Sequence, residues 1–296
     1  MWRANASSSC TRGITRGVEE TDMSDPNHDQ FILEAVLAGG VKIPAMPRVL
    51  LDLAELDGRG DAGPREYARV IGRDPGLAGA IFRVVGSPVF GLRAKADSLE
   101  KAVTLLGLRT THAVASGEAL RSVLTEPALQ KVMDKLWQRV NAVAETMVAA
   151  LKATCMRGVS QDQAMLLGLF HDCGVAVACR RYPVYASAFA QAPGWPDLAA
   201  LDRSQQTDHA VIGQMVARSW QLPQDIALAI RHHHAPRLTG LPEPVTGLIT
   251  LLQFAMHLVN RRSGADDGEW PQWQANVIGR LVKNESGLAD LEAELA

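Results

Sequence analysis

No charge of one sign predominates in this chain: Lys and Arg number 30 against 32 Asp and Glu, for a net charge of −2. A protein that binds nucleic acid mainly by neutralising phosphates carries a basic excess, so direct nucleic-acid binding is not expected. No apolar run reaches the roughly 18 residues of a spanning helix, because Arg, Asp, His or Lys interrupts every long stretch; a membrane span is excluded. The four cysteines, Cys10, Cys155, Cys173 and Cys179, form no CxxC pair and sit mostly in apolar helical surroundings. That usage fits buried free thiols and a cytoplasmic location better than a disulfide framework. Internal repeats, low-complexity segments and strand-like alternation are also missing. An apolar fraction of 47% and a charged fraction of 21% exclude bulk disorder.

What is present is helical periodicity. Residues 1–29 lack an apolar core of signal-peptide length and show no periodicity, so a flexible tail is expected, with Met23 an alternative start. From Phe31 onward, apolar residues recur at three- and four-residue steps between Gly and Pro stops. Asp74-Pro75 has the form of an N-cap followed by proline at the first helical position, and Asp97-x-x-Glu100 that of a capping box. The longest periodic stretch, Pro127 to Cys155, presents Val132, Leu136, Val140, Val143, Met147, Ala150 and Thr154 as one core-facing stripe. Further helices are expected over Gln163 to Cys179, Asp208 to Trp220, Pro223 to the His232-His233-His234 run, and Pro244 to Asn260. The chain reads as all-α, with residues 30–126 and 127–262 as two helical lobes and 263–296 as a helical tail.

Five of the eight histidines fall in three clusters of the second half: His171-Asp172, His209 after Asp208, and His232 to His234. A lone histidine on an apolar helix is usually a hydrogen-bonded core residue, and a histidine run at a helix end can simply complement the macrodipole. Three clusters together point further, since imidazole and carboxylate suit Zn, Fe and Mn, and converging helices can gather them around one centre.

Leu169-Phe170-His171-Asp172-Cys173-Gly174 resembles the hHDxG core of the HD superfamily of metal-dependent phosphohydrolases. An ordered series of motifs resembles one branch, the HDOD (HD-related output) domain. It comprises Ile43-Pro44-Ala45-Met46-Pro47, Ile71-Gly72-Arg73-Asp74-Pro75, Ser87-Pro88-Val89-Phe90-Gly91, and Ala102-Val103-Thr104-Leu105-Leu106-Gly107. Asp208-His209-Ala210-Val211-Ile212-Gly213, Trp220-Gln221-Leu222-Pro223 and Ile230-Arg231-His232-His233-His234 complete it. The resemblance implies a two-lobed helical fold with an HD-like core in the second half. It also implies a bacterial signalling role exercised through protein partners or a small ligand.

Departures from the pattern bear on catalysis. Arg139 stands where the resemblance places the first histidine ligand, and Met256 where it places the closing aspartate. A guanidinium has no lone pair to donate and repels a cation, and a thioether suits a hydrolytic metal poorly. Catalytic residues are therefore not expected. His171, Asp172, His209, His233 and His234 remain as a residual site for one divalent Fe, Mn or Zn, with Arg139, His232 and Met256 lining the pocket. Two other outcomes stay open: an Arg139–Asp172 ion pair replacing the metal charge, and a nucleotide whose phosphate meets Arg139 or Arg231. The alternative function is a metal-dependent phosphohydrolase acting on a nucleotide or cyclic dinucleotide.

Overall fold

The computed structural model describes residues 32–295 apart from 33, 37, 92–95, 155, 193, 266 and 283. The expected tail 1–29, with Cys10 and Met23, lies outside the described residues, as does Cys155. Within them the chain is all-α, without a strand. After helical residues at 32, 34–36 and 38 come α1 (Arg48–Arg59), α2 (Pro64–Ile71), α3 (Pro75–Gly86), α4 (Leu99–Leu106) and α5 (Leu108–Leu124). Next are α6 (Gln130–Thr154), α7 (Gln161–Phe170), α8 (Cys173–Arg181), α9 (Pro183–Gln191) and α10 (Leu198–Gln205). The last five are α11 (His209–Ser219), α12 (Gln224–His232), α13 (Glu243–Ser263), α14 (Trp270–Leu281) and α15 (Glu285–Leu295).

Local chemistry explains most boundaries. Asp74 caps α3, its carboxylate accepting from the amides of Gly76 and Leu77 at 2.8 and 3.1 Å, with Pro75 in the first turn. The expected capping box at Asp97 is one residue out: Ser98 is the cap, its Oγ accepting from the Lys101 amide, while Asp97 pairs with Lys101 Nζ at 3.3 Å. The long stripe does not begin helically at Pro127, because Pro127–Leu129 form a separate 3₁₀ turn before α6. From Val132 to Ala150 the stripe is buried; Thr154 is only partly so.

The single helix expected over Gln163 to Cys179 is two, and the break falls at His171-Asp172. Asp172 leaves the helical region at φ −102°, ψ 19°, and α8 starts afresh behind it. Close packing on both sides accompanies the break. A Cβ on Gly168 would lie 2.4 Å from Ala144 Cα, and one on Gly174 would lie 1.8 Å from the His209 carbonyl oxygen. Only glycine at position 174 lets the start of α8 meet the start of α11, which brings Asp172 beside His209.

Long-range contacts join the halves. The indole Nε1 of buried Trp220 donates to the Pro44 carbonyl at 2.8 Å, linking two motifs 176 residues apart. Helix α5 packs on α7, and one hydrophobic cluster runs from Ile32 to Leu291. The C-terminal helices belong to this core: α14 lies along α13, α15 reaches back to α6, and Trp273, Val277, Leu288 and Leu291 are buried. None of the described helices is long and apolar enough to cross a membrane.

Candidate metal centre

Three segments bring the site together. His171 and Asp172 occupy the break between α7 and α8, His209 opens α11, and His233 and His234 follow the last residue of α12. Asp208 caps α11 through the amides of Ala210 and Val211, and its other oxygen faces Arg231 at 3.4 Å. Gln253 of α13 donates to the carbonyls of His233 (3.1 Å) and Ala235 (3.0 Å), which fixes the turn carrying the two histidines.

Each imidazole is oriented through its Nδ1. That of His171 lies 2.8 Å from the Gly168 carbonyl and that of His233 2.7 Å from the Ile230 carbonyl. A carbonyl only accepts, so both rings donate from Nδ1. The Nδ1 atoms of His209 and His234 donate to carboxylates, Asp202 at 2.6 Å and Glu269 at 2.8 and 3.0 Å. In its neutral form each of these four rings therefore carries its lone pair on Nε2.

The Nε2 atoms converge on Asp172. His171 Nε2 lies 3.3 Å from Oδ2, while His233 and His209 Nε2 lie 3.5 and 3.7 Å from Oδ1. His209 and His234 face each other Nε2 to Nε2 at 3.1 Å. Ligand atoms of Asp172, His209, His233 and His234 all lie within 4.8 Å of one another. The side chains of His171 and His233 are 0% exposed and that of Asp172 1%, yet both Asp172 oxygens and the Nε2 atoms of His171 and His233 have no hydrogen-bond partner.

Lone pairs facing a buried carboxylate need a shared positive charge, a proton or a cation. Burial acts to raise the Asp172 pKa, but the imidazoles of His171, His233 and His209 hold it well below the usual carboxylate range. Burial pulls His209 down, and Asp202, Asp172 and Asp208 outweigh it, raising the ring to about 9. His233, desolvated and beside His234, is lowered to about 3. The set of imidazole Nε2 and carboxylate oxygen atoms, each ring held from behind, fits a divalent transition ion.

The remaining sequence expectations fall differently. His232 ends α12, half-buried and outside the convergent set. Arg139 does not pair with Asp172. Its Nη1 donates to Asn260 Oδ1 at 2.7 Å, and its guanidinium lies 4.5 Å from the Trp195 ring centre. Burial lowers the Arg139 pKa, against the pull of Asp172, Asp267 and Glu269. Met256 is buried on α13 one turn from Asn260. Neither guanidinium considered for a phosphate stands idle, since Arg231 faces Asp208 and Arg139 is held by Asn260.

The motif reading missed Asp202, Asn260, Asp267 and Glu269. Asp202 sits seven residues before His209 in a polar stretch that looks like any solvated helix end. Asn260 lies near the end of α13, and Asp267 and Glu269 lie in a short Gly- and Asp-containing stretch of sequence ahead of Trp270. A cluster of acids just before an aromatic-rich helix was the only signal available there.

The sequence model of the HDOD domain matches residues 43–236. The chain belongs to the HDOD domain family. In this HDOD protein the match takes in His171, Asp172, His209, His233 and His234 and stops short of α13 and the C-terminal helices. An uncharacterised protein of Treponema pallidum (strain Nichols) is 26% identical over 239 residues, covering 78% of this chain and 44% of that protein. The chain thus spans less than half the length of this curated relative. A structure from Shewanella amazonensis SB2B, assigned by name only to metal-dependent phosphohydrolases, superposes with a TM-score of 0.66 at 19% identity. It covers 91% of this chain and 99% of that one. Another, from Marinobacter aquaeolei VT8 and assigned by name only to signal transduction, gives 0.59 at 20% identity over 91% and 66%. At these identities the likeness shows the shared fold.

Proposed function

We propose that this HDOD protein is a non-enzymatic output domain of bacterial signal transduction, acting through protein partners or a small ligand. In this reading its HD centre survives as a closed site for one divalent cation. The observation that carries it is Asp172: fully buried, without a hydrogen-bond partner on either oxygen, and met by three imidazole Nε2 atoms. Asp172, His209, His233 and His234 would hold the ion, an Fe, Mn or Zn, with Asp202 and Glu269 setting two of the rings. When bound, the ion supplies a fixed positive charge that offsets Asp172 and ties three chain segments together.

Burial and Arg139 support a structural or sensing role over hydrolysis. A hydrolytic centre keeps an open position for water and substrate, whereas His171, Asp172 and His233 are sealed from solvent. His171 is left as a single imidazole on the Oδ2 side of Asp172. The residues that the family resemblance aligns with its remaining ligands are Arg139, engaged by Asn260, and Met256. The Marinobacter neighbour's name and the family's description as an output domain support the signalling context. Free buried thiols at Cys173 and Cys179 support a reducing, cytoplasmic setting.

The hydrolase reading draws on the retained Nε2 set and on the Shewanella neighbour's name. A turnover screen separates the two. Protein reconstituted with Mn(II) or Fe(II) is incubated with nucleotides and cyclic dinucleotides, and no product above buffer is expected. Turnover that disappears in His171→Ala overturns the non-enzymatic assignment.

A further inference from the structure

The family match ends at residue 236, yet one of the rings in the centre is oriented by a residue well beyond it. Glu269, immediately before α14, accepts from His234 Nδ1 through both carboxylate oxygens, at 2.8 and 3.0 Å. His234 is the most exposed ring of the set, its side chain 15% accessible, and the Glu269 side chain is 46% accessible. The contact therefore sits at the rim, where the buried centre meets the surface. Trp273, one turn into α14, packs with its ring centre 6.0 Å from that of His234, and its indole Nε1 is buried without a partner.

A second connection runs through the same short stretch of sequence. Asp267 Oδ1 accepts from Asn260 Nδ2 at 2.9 Å, and Asn260 Oδ1 accepts from Arg139. Asp267 Oδ2 bonds His257 Nδ1, and the His257 ring stacks on Trp270 at 3.7 Å with the planes 10° apart. His257 Nε2 continues to Glu292 of α15 at 3.2 Å. Glu269 thus holds the ligand ring with its carboxylate, and Asp267 holds the buried guanidinium's partner, both just ahead of the C-terminal helices.

We propose that Glu269 is a positioning residue for His234, and that through it cation binding and the docking of α14 and α15 are coupled. The proposal rests on the cation reading above. Its physical basis is polarisation: an imidazole whose Nε2 lone pair is shared with a cation has a more acidic Nδ1–H, which bonds a carboxylate more strongly. What strengthens the Glu269 bond in the loaded state must, by linkage, strengthen loading when the bond is present. The C-terminal helices would then report the state of the buried centre on the protein surface, giving an output route without turnover.

The test uses the full chain, Zn(II) as the probe, and Glu269→Gln, which keeps the shape and a hydrogen-bond acceptor while removing the charge. Zn(II) affinity is measured by chelator competition, and amide hydrogen exchange across 267–295 is followed with and without Zn(II). In the wild type, Zn(II) should slow exchange in α14 about ten-fold. Glu269→Gln should weaken Zn(II) binding by about 10- to 100-fold and abolish most of that slowing, with metal-free exchange unchanged. Binding that Asp172→Asn abolishes, but that leaves α14 exchange unaltered in the wild type, overturns the coupling and leaves the cation reading intact. An unaltered affinity in Glu269→Gln overturns the positioning role. Failure of the wild type to bind Zn(II) overturns the cation reading and the coupling with it. Should the variant not fold, the wild-type comparison with and without Zn(II) still decides.

Discussion

His209 and His234 face each other Nε2 to Nε2 at 3.1 Å, while their opposite nitrogens donate to the carboxylates of Asp202 and Glu269. Two neutral rings so arranged would press lone pair against lone pair. A shared positive charge removes the conflict, and Asp172 on the same side supplies an anion for that charge. The expected behaviour of the protein follows from this relationship and from the packing that enforces it.

Chelation should destabilise the protein. At a free ion concentration about a hundred times Kd, binding contributes about 2.7 kcal/mol. For a chain of this size that corresponds to a Tm lower by about 4–5 °C after metal removal. Scanning calorimetry of metal-loaded and EDTA-treated protein checks it, and Asp172→Asn should show no difference between the two.

Restoring the missing ligands should enlarge the site. Arg139→His together with Met256→Asp exchanges a buried cation and a thioether for an imidazole and a carboxylate, at the two positions the family resemblance gives to ligands. Metal content should rise above that of the wild type, and either change alone should do less. Plasma mass spectrometry of the three variants gives the answer, and equal content in all of them contradicts the assignment of these positions.

Gly174→Ala should be among the most damaging single substitutions. Its Cβ would fall 1.8 Å from the His209 carbonyl oxygen, a backbone atom that cannot rotate aside. Overpacking commonly costs 1–3 kcal/mol, and a backbone clash belongs at or above the upper end, about 3 kcal/mol. Urea unfolding measures the loss, and metal binding should fall with it because α8 and α11 separate.

Asp74→Ala tests the separation of stability from the centre. Loss of the cap on α3 should cost about 1 kcal/mol in urea unfolding. Zn(II) affinity should be unchanged, since α3 packs on α2, α4 and α5 rather than on the helices that carry the centre.

Much of the fold was legible because helical periodicity and stop residues are local signals. Asp74-Pro75, Pro223 and Asp208 mark boundaries by their own chemistry. Three boundaries were misplaced, the start of α6 by the Pro127–Leu129 turn and two for the following reasons. Ser98 competes with Asp97 for the same cap, and apolar periodicity runs unbroken through His171-Asp172 although the backbone breaks there to accommodate α11. The clustered histidines were legible as a group because motif spacing repeats a known order. Asp202, Asn260 and Glu269 were not: each is an ordinary polar residue whose role exists only once distant helices meet. Arg139 illustrates the limit best. Its identity was readable as a lost ligand, but its partner, Asn260, lies 121 residues away and had no mark in the sequence.

The most direct test of the account is the metal-to-protein ratio of the wild-type chain after loading with Mn(II), Fe(II) or Zn(II) and exhaustive desalting. The account predicts a single tightly held ion per chain, lost in Asp172→Asn. A wild type that retains no ion, or an Asp172→Asn variant that retains as much as the wild type, would contradict it.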